Sequence, residues 1–125
     1  MDSEAIHYFL TMINELGKID SLAIDETDKS KLLLAVFDHL DWQCKKLHVL
    51  LLLEKLNSYV GYILDEGYKD IYQEDINSFQ ITVLAKHNPK RKLNKFLSLY
   101  NKSLKEKFPN TIIEVSCQLM EFEDT

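Results

Sequence analysis

The chain is poor in the residues that most often build reactive loops: its 125 residues include three Gly, two Pro and two Cys. With only Gly17, Gly61 and Gly67 available, there is no glycine-rich loop to cradle a phosphate on backbone N–H groups, and no Gly-x-Ser-x-Gly turn to present a nucleophile. Scarce proline, beside 46% hydrophobic and 28% charged residues, excludes a Pro-rich disordered chain and predicts an ordered globule. Cys44 and Cys117 lie far apart and form no Cys-x-x-Cys pair, so a disulfide framework is not expected. The start, Met1-Asp2-Ser3-Glu4, lacks the basic residues and apolar stretch of a signal peptide, which makes the cytoplasm the expected location. The longest unbroken apolar run, Val49 to Leu53, is far shorter than the ~20 residues a bilayer-crossing helix needs, so no membrane span is expected.

Charge is unevenly spread. The net value is −5, yet residues 86–107 carry eight cations against one acid, a basic island between two acidic stretches. Periodicity supplies the elements. Ile6, Phe9, Leu10, Ile13 and Leu16 recur at helical spacing over residues 3–16 and end at Gly17, which predicts an amphipathic N-terminal helix. Ser21 to Ile24 and Leu32 to Phe37 read as two antiparallel strands joined by the polar cluster at 25–30. Residues 42–64, with Asp41 as N-cap, predict a long buried helix whose stripe runs through Leu47, Leu50, Leu51, Val60 and Ile63, widened by Leu52, Leu53, Leu56, Tyr59 and Tyr62. Residues 65–78 read as a connection that could return the chain in either direction.

Phe79, Ile81, Val83 and Ala85 alternate with polar neighbours as a half-buried strand does. After Asn88-Pro89, a second helix carries Leu93, Phe96, Leu97, Tyr100 and Leu104 on one side and its lysines on the other, and Pro109-Asn110 stops it. Ile113, Val115, Cys117 and Leu119 form one face of a last strand. The predicted fold is α+β, a single small domain of order α-β-β-α-β-α-β. A mixed four-stranded sheet has two long helices on one face and an added N-terminal helix. Residues 1–18 are the helical extension, 19–120 the domain and 121–125 an acidic tail. The N-terminal helix has an apolar face to cover, either on the second face of the sheet or in a homodimer.

The string Asp38-His39-Leu40-Asp41-Trp42, followed by His48 to Asn57 and Tyr59, resembles the signature of a bacterial family of small domains of unknown function. There, a strand ending in Asp-His-Leu-Asp-Trp leads into a helix rich in His and Leu. The resemblance spans about Ile19 to Leu119, leaves residues 1–18 as an addition and departs at Leu53, where a polar residue is expected, and in a slightly longer helix end around Gly61 to Gly67. It implies the fold and no activity.

The richest cluster of reactive side chains is at this junction. Asp41, Cys44 and His48 stand at i, i+3 and i+7, which on a continuous helix is one face, and His39 lies just ahead. These four are candidate metal ligands, though their spacing matches no common structural zinc motif. Among Asp38, His39 and Asp41 a carboxylate could orient the imidazole as a general base, but no activated nucleophile accompanies them. The structural alternative has Asp41 capping the helix, Trp42 packing at the sheet edge, His48 bonded at the core rim and Cys44 as small apolar filler. The basic island, including Lys90, Arg91, Lys92 and Lys95, could meet phosphates. Phe96 and Tyr100 fall on the apolar stripe, however, which argues against a base-stacking platform. These observations favour a non-enzymatic cytoplasmic protein that binds another protein and needs no cofactor; the immunity proteins that neutralise toxins are one class of this size and acidity. The alternatives are a small metal-binding domain or enzyme centred on 38–48, and nucleic-acid binding through 86–107.

Overall fold

The computed structural model describes residues 21–88 and 90–120, without the side chains of Lys90 and Lys92. The N-terminal helix, the 1–18 extension and the acidic tail read from the sequence lie outside the described residues. The elements are β1 (Ser21–Ile24), β2 (Lys31–Asp38), α1 (Lys45–Leu64), a 3₁₀ turn at Gly67–Asp70, β3 (Ser78–Ala85), α2 (Lys90–Lys107) and β4 (Ile112–Leu119). The sheet order is β1-β2-β3-β4. β1 pairs antiparallel with β2, whereas β2 with β3 and β3 with β4 are parallel. This is a small α+β domain with a mixed four-stranded sheet and two helices.

Short polar side chains shape the β1–β2 turn. Asp25 accepts the backbone N–H of Thr27 and Asp28 that of Ser30, each at 3.0 Å. The Thr27 bonds hold the Asp25 carboxyl below its ordinary range, and those of Ser30 do the same for Asp28. The 65–78 connection returns the chain parallel to β2. The backbone N–H groups of Asn77 and Ser78 both donate to the Ser30 carbonyl, at 2.9 and 3.3 Å, so parallel pairing is zipped from its first residue. A parallel neighbour demands a crossover, and α1 is long enough to provide it.

Strict alternation sorts the faces. Leu32, Leu34, Val36 and Asp38 of β2, Phe79, Ile81, Val83 and Ala85 of β3, and Ile113 and Val115 of β4 are buried on one side. The buried apolar residues of α1 and α2 join these strands in one core cluster. Tyr59 ties α1 to the sheet by donating to the Ala35 carbonyl at 2.7 Å, and Tyr100 ties α2 to α1 by donating to Asn57 Oδ1 at 2.7 Å. Burial pushes the Tyr100 hydroxyl up to about 12. Leu33, Ala35, Gln80, Thr82, Leu84 and Ser116 are half-buried on the opposite face, where Gln80 donates to the Ser116 hydroxyl at 2.9 Å.

The first helix departs from its expected stripe. Leu47 and Leu50 are 51% and 57% exposed, whereas the buried set is His48, Leu51, Leu52, Lys55, Leu56, Tyr59, Val60 and Ile63. Neither His48 nor Lys55 belongs to the expected stripe. In the fold both face the core, so the buried stripe is rotated about one residue from the expected one. By length and composition α1 is apolar enough to cross a membrane, and its packing against the sheet accounts for that apolarity.

The helix also begins later than expected. Asp41 does not cap it. Cys44 is the N-cap, with no side-chain bond, and Asp41 instead accepts the Gln43 backbone N–H at 3.3 Å in the preceding turn. The far end closes on Glu66, in the left-handed region at φ 59°, followed by Gly67.

Candidate functional site

β2 delivers Asp38 to its carboxyl end with the side chain on the helix-covered face, and the first turn of α1 brings His48 above it. The ring Nε2 lies 2.6 Å from Asp38 Oδ2, a short hydrogen bond. Asp38 Oδ1 accepts the Leu40 backbone N–H at 3.2 Å. Trp42 stacks on the imidazole at 3.6 Å between centroids and 16° between planes. Its Nε1 is buried without a hydrogen-bond partner among the described residues. The side chains of His48 and Asp38 are 0% and 1% exposed. Carboxylate and indole therefore immobilise the imidazole, and solvent does not reach the pair.

The four candidate ligands do not assemble as the spacing suggested. Residues 41–44 precede the helix, so Asp41, Cys44 and His48 share no helical face. Cys44 is exposed rather than packed as filler, and His39, the next residue along from Asp38, leaves the strand half-buried. Trp42 stacks on His48, and His48 lies inside the core rather than at its rim. Among the described residues, no three His, Cys, Asp or Glu side chains come together as a metal site needs. The residue that matters, Asp38, entered the sequence reading only as an orienter for His39. Its true partner stands ten positions on.

Two further groups at this end of the sheet are chemically quiet. Burial, and secondly the negative charge of Asp38, push the Cys117 thiol up to about 11, which keeps it protonated and weakly nucleophilic near neutrality. Lys55 was missed by the sequence reading. It is fully buried, with Nζ 5.5 Å from the Tyr59 ring centroid, a cation–π contact. The spacing of seven between His48 and Lys55, on a helix otherwise dense in Leu, was the signal that both share one face.

Open cavities lie elsewhere. One of about 410 Å³ is lined by Glu66, Lys69, Glu74 and Asp75 among others, and one of about 330 Å³ by Ile63, Tyr68, Phe79 and Asn110 among others. Both sit near the amino ends of the parallel strands, away from the carboxyl ends where open α/β sheets usually hold ligands.

The outer face of α2 is the second candidate. Arg91, Lys95, Lys102, Lys105 and Lys107 are exposed, as is Lys86 just before the helix. Lys90 and Lys92 stand in the first turn. Among the described residues none of Arg91, Lys95, Lys102 or Lys105 is held in an ion pair. Leu99, 61% exposed, lies within this charged face. Tyr100 is buried and Phe96 half-buried, so neither ring is presented flat to solvent.

A family model described as a family of unknown function, DUF6572, matches residues 11–118. The matched span starts inside the segment read from the sequence as an addition. No curated protein and no solved structure matches the chain.

Proposed function

We propose, from the premise that the chain belongs to DUF6572, that it is a non-enzymatic protein-binding domain whose contact surface is the cationic outer face of α2. One observation carries this reading: Arg91, Lys95, Lys102 and Lys105 are exposed together, unpaired among the described residues, on a chain whose net charge is −5. An acidic protein surface would meet them, and Leu99 supplies an apolar contact inside the charged field. A cytoplasmic protein that holds an acidic target, as immunity-type proteins hold toxins, fits this chemistry. Nucleic acid fits less well, because among the described residues no exposed aromatic stacks beside the lysines and the chain carries a net charge of −5. An enzyme or metal site at 38–48 is disfavoured by the closure of the His48–Asp38 pair to solvent.

The test compares the wild-type chain with the variant Arg91→Glu/Lys95→Glu/Lys102→Glu/Lys105→Glu in pull-downs from the source cell, at low and at raised salt. A protein captured by the wild type, released by salt and missed by the variant supports the reading. Equal capture by both chains refutes it, and retention of nucleic acid in its place transfers the surface to the alternative.

A further inference from the structure

The outer edge of β4 is partly closed by the protein itself. Asn101 of α2 donates from its amide nitrogen to the Val115 carbonyl and accepts the Val115 N–H on its amide oxygen, both at 2.8 Å. A side-chain amide has the donor and acceptor of a peptide group, so Asn101 occupies the position that one residue of a neighbouring strand would take. On the inner side, the Met120 N–H donates to the Ala85 carbonyl at 2.8 Å. Even-numbered residues of β4 therefore turn their backbone groups to β3, and odd-numbered ones turn outward. Cys117 and Leu119 follow Val115 in that outward alternation, and among the described residues no strand pairs with β4 on that side.

The cations of α2 lie level with this open stretch. α2 is the crossover between parallel strands and runs opposite to β4, so residues before Asn101 flank the part of β4 after Val115. Leu119 is four residues beyond Val115, about 13 Å of strand, which corresponds to about nine helical residues and so to the neighbourhood of position 92. Ser98 and Asn94, at i−3 and i−7 from Asn101, share its side of the helix. Arg91 and Lys95 stand next to them toward solvent, both exposed.

We propose that β4 accepts an extended acidic peptide segment as an additional strand. Its backbone would pair with Cys117 and Leu119, its carboxylates would meet Arg91 and Lys95, and Asn101 would set where pairing stops. This rests on the reading of α2 as a protein-binding face and names the form of the partner. Main-chain bonds supply affinity in such strand addition, and flanking side chains supply selectivity.

The test uses an N-acetylated, C-amidated (Glu-Val)₅ peptide and the same peptide N-methylated at every residue, which keeps the charge and removes the backbone donors of both strand edges. Binding is read by fluorescence anisotropy, and pairing by amide hydrogen exchange at Cys117 and Leu119. The unmodified peptide is expected to bind and to slow exchange at both amides. Arg91→Glu/Lys95→Glu is expected to weaken binding by at least about tenfold, and N-methylation to abolish it. If both peptides bind equally and both lose affinity on charge reversal, strand addition is overturned while the cationic face stands. If neither binds, the acidic-partner reading falls as well. A dimeric chain whose Cys117 and Leu119 amides are protected without peptide would also overturn the proposal, because a second copy would then hold the edge.

Discussion

Replacing His48 by leucine tests the tightest polar contact in the core. The substitution keeps an apolar side chain of similar bulk beneath Trp42 but removes Nε2 from Asp38 Oδ2, leaving a carboxyl group that is 1% exposed with only the Leu40 N–H as a described partner. Breaking a buried pair from one side costs about 3–5 kcal/mol. Loss of the imidazole–indole stack adds about 0.5–1.5 kcal/mol if it behaves as aromatic pairs do. For a chain of this length roughly 4 °C of melting temperature accompanies each kcal/mol, so the combined loss of about 3.5–6.5 kcal/mol means that His48→Leu is expected to melt on the order of 14–26 °C lower.

Asp38→Leu takes the carboxylate from an imidazole that Trp42 still stacks on and is expected to cost less, about 1–3 kcal/mol. The double variant removes both polar groups and is expected to recover most of the loss, because two apolar side chains substitute for a buried pair at little net cost. The assay is urea unfolding of all four chains, read by far-UV circular dichroism and by Trp42 fluorescence. The reasoning fails if His48→Leu unfolds within 1 kcal/mol of the wild type, or if the double variant is as unstable as the two single changes added together.

Three other expectations follow from local geometry. A Cβ at Gly67 would stand 2.6 Å from the Tyr62 ring, whereas one at Gly61 meets nothing within 4 Å. Gly67→Ala is therefore expected to destabilise by about 1–3 kcal/mol and Gly61→Ala to stabilise by about 0.5–1 kcal/mol, both measurable by chemical denaturation. Asn101→Ala removes two hydrogen bonds and bares the Val115 backbone, which predicts a loss of about 1–3 kcal/mol and a new tendency to associate, visible by sedimentation. Cys117 ionises higher in the fold than its ordinary value of 9.0. Its contribution to stability is present in full below pH 9 and is lost as pH rises through about 11, so Cys117→Val should flatten the alkaline limb of the stability profile. At neutral pH iodoacetamide should label the exposed Cys44 well before Cys117.

The strands were legible because alternation has one meaning once one face is dry. Phe79, Ile81, Val83 and Ala85 are buried as their spacing demanded, and β2 extends the expected Leu32–Phe37 by one residue at each end. α2 was legible for a similar reason, since its cations and its apolar residues fall on opposite sides and Asn88-Pro89 precedes it. α1 was misjudged in its facing because leucine covers most of its circumference, so hydrophobicity alone offers no single direction. Its start was misjudged because residues 41–44 form a turn that seats Trp42 over His48, a contact no local capping rule contains. The candidate site followed the same pattern: the residues were named, but their partners were not.

Composition, the alternation of β2, β3 and β4 and the polarity of α2 are properties of neighbouring residues, and from them the chain alone determined an α+β domain, its element order and a basic helix face. The fold itself decided that Asp38 meets His48, that Lys55 lies inside, that Asn101 seals Val115 and that Cys117 feels Asp38. Each of those pairings joins groups brought together by the sheet register and the rotation of a helix about its axis, and both are set by packing across the whole core rather than by local sequence.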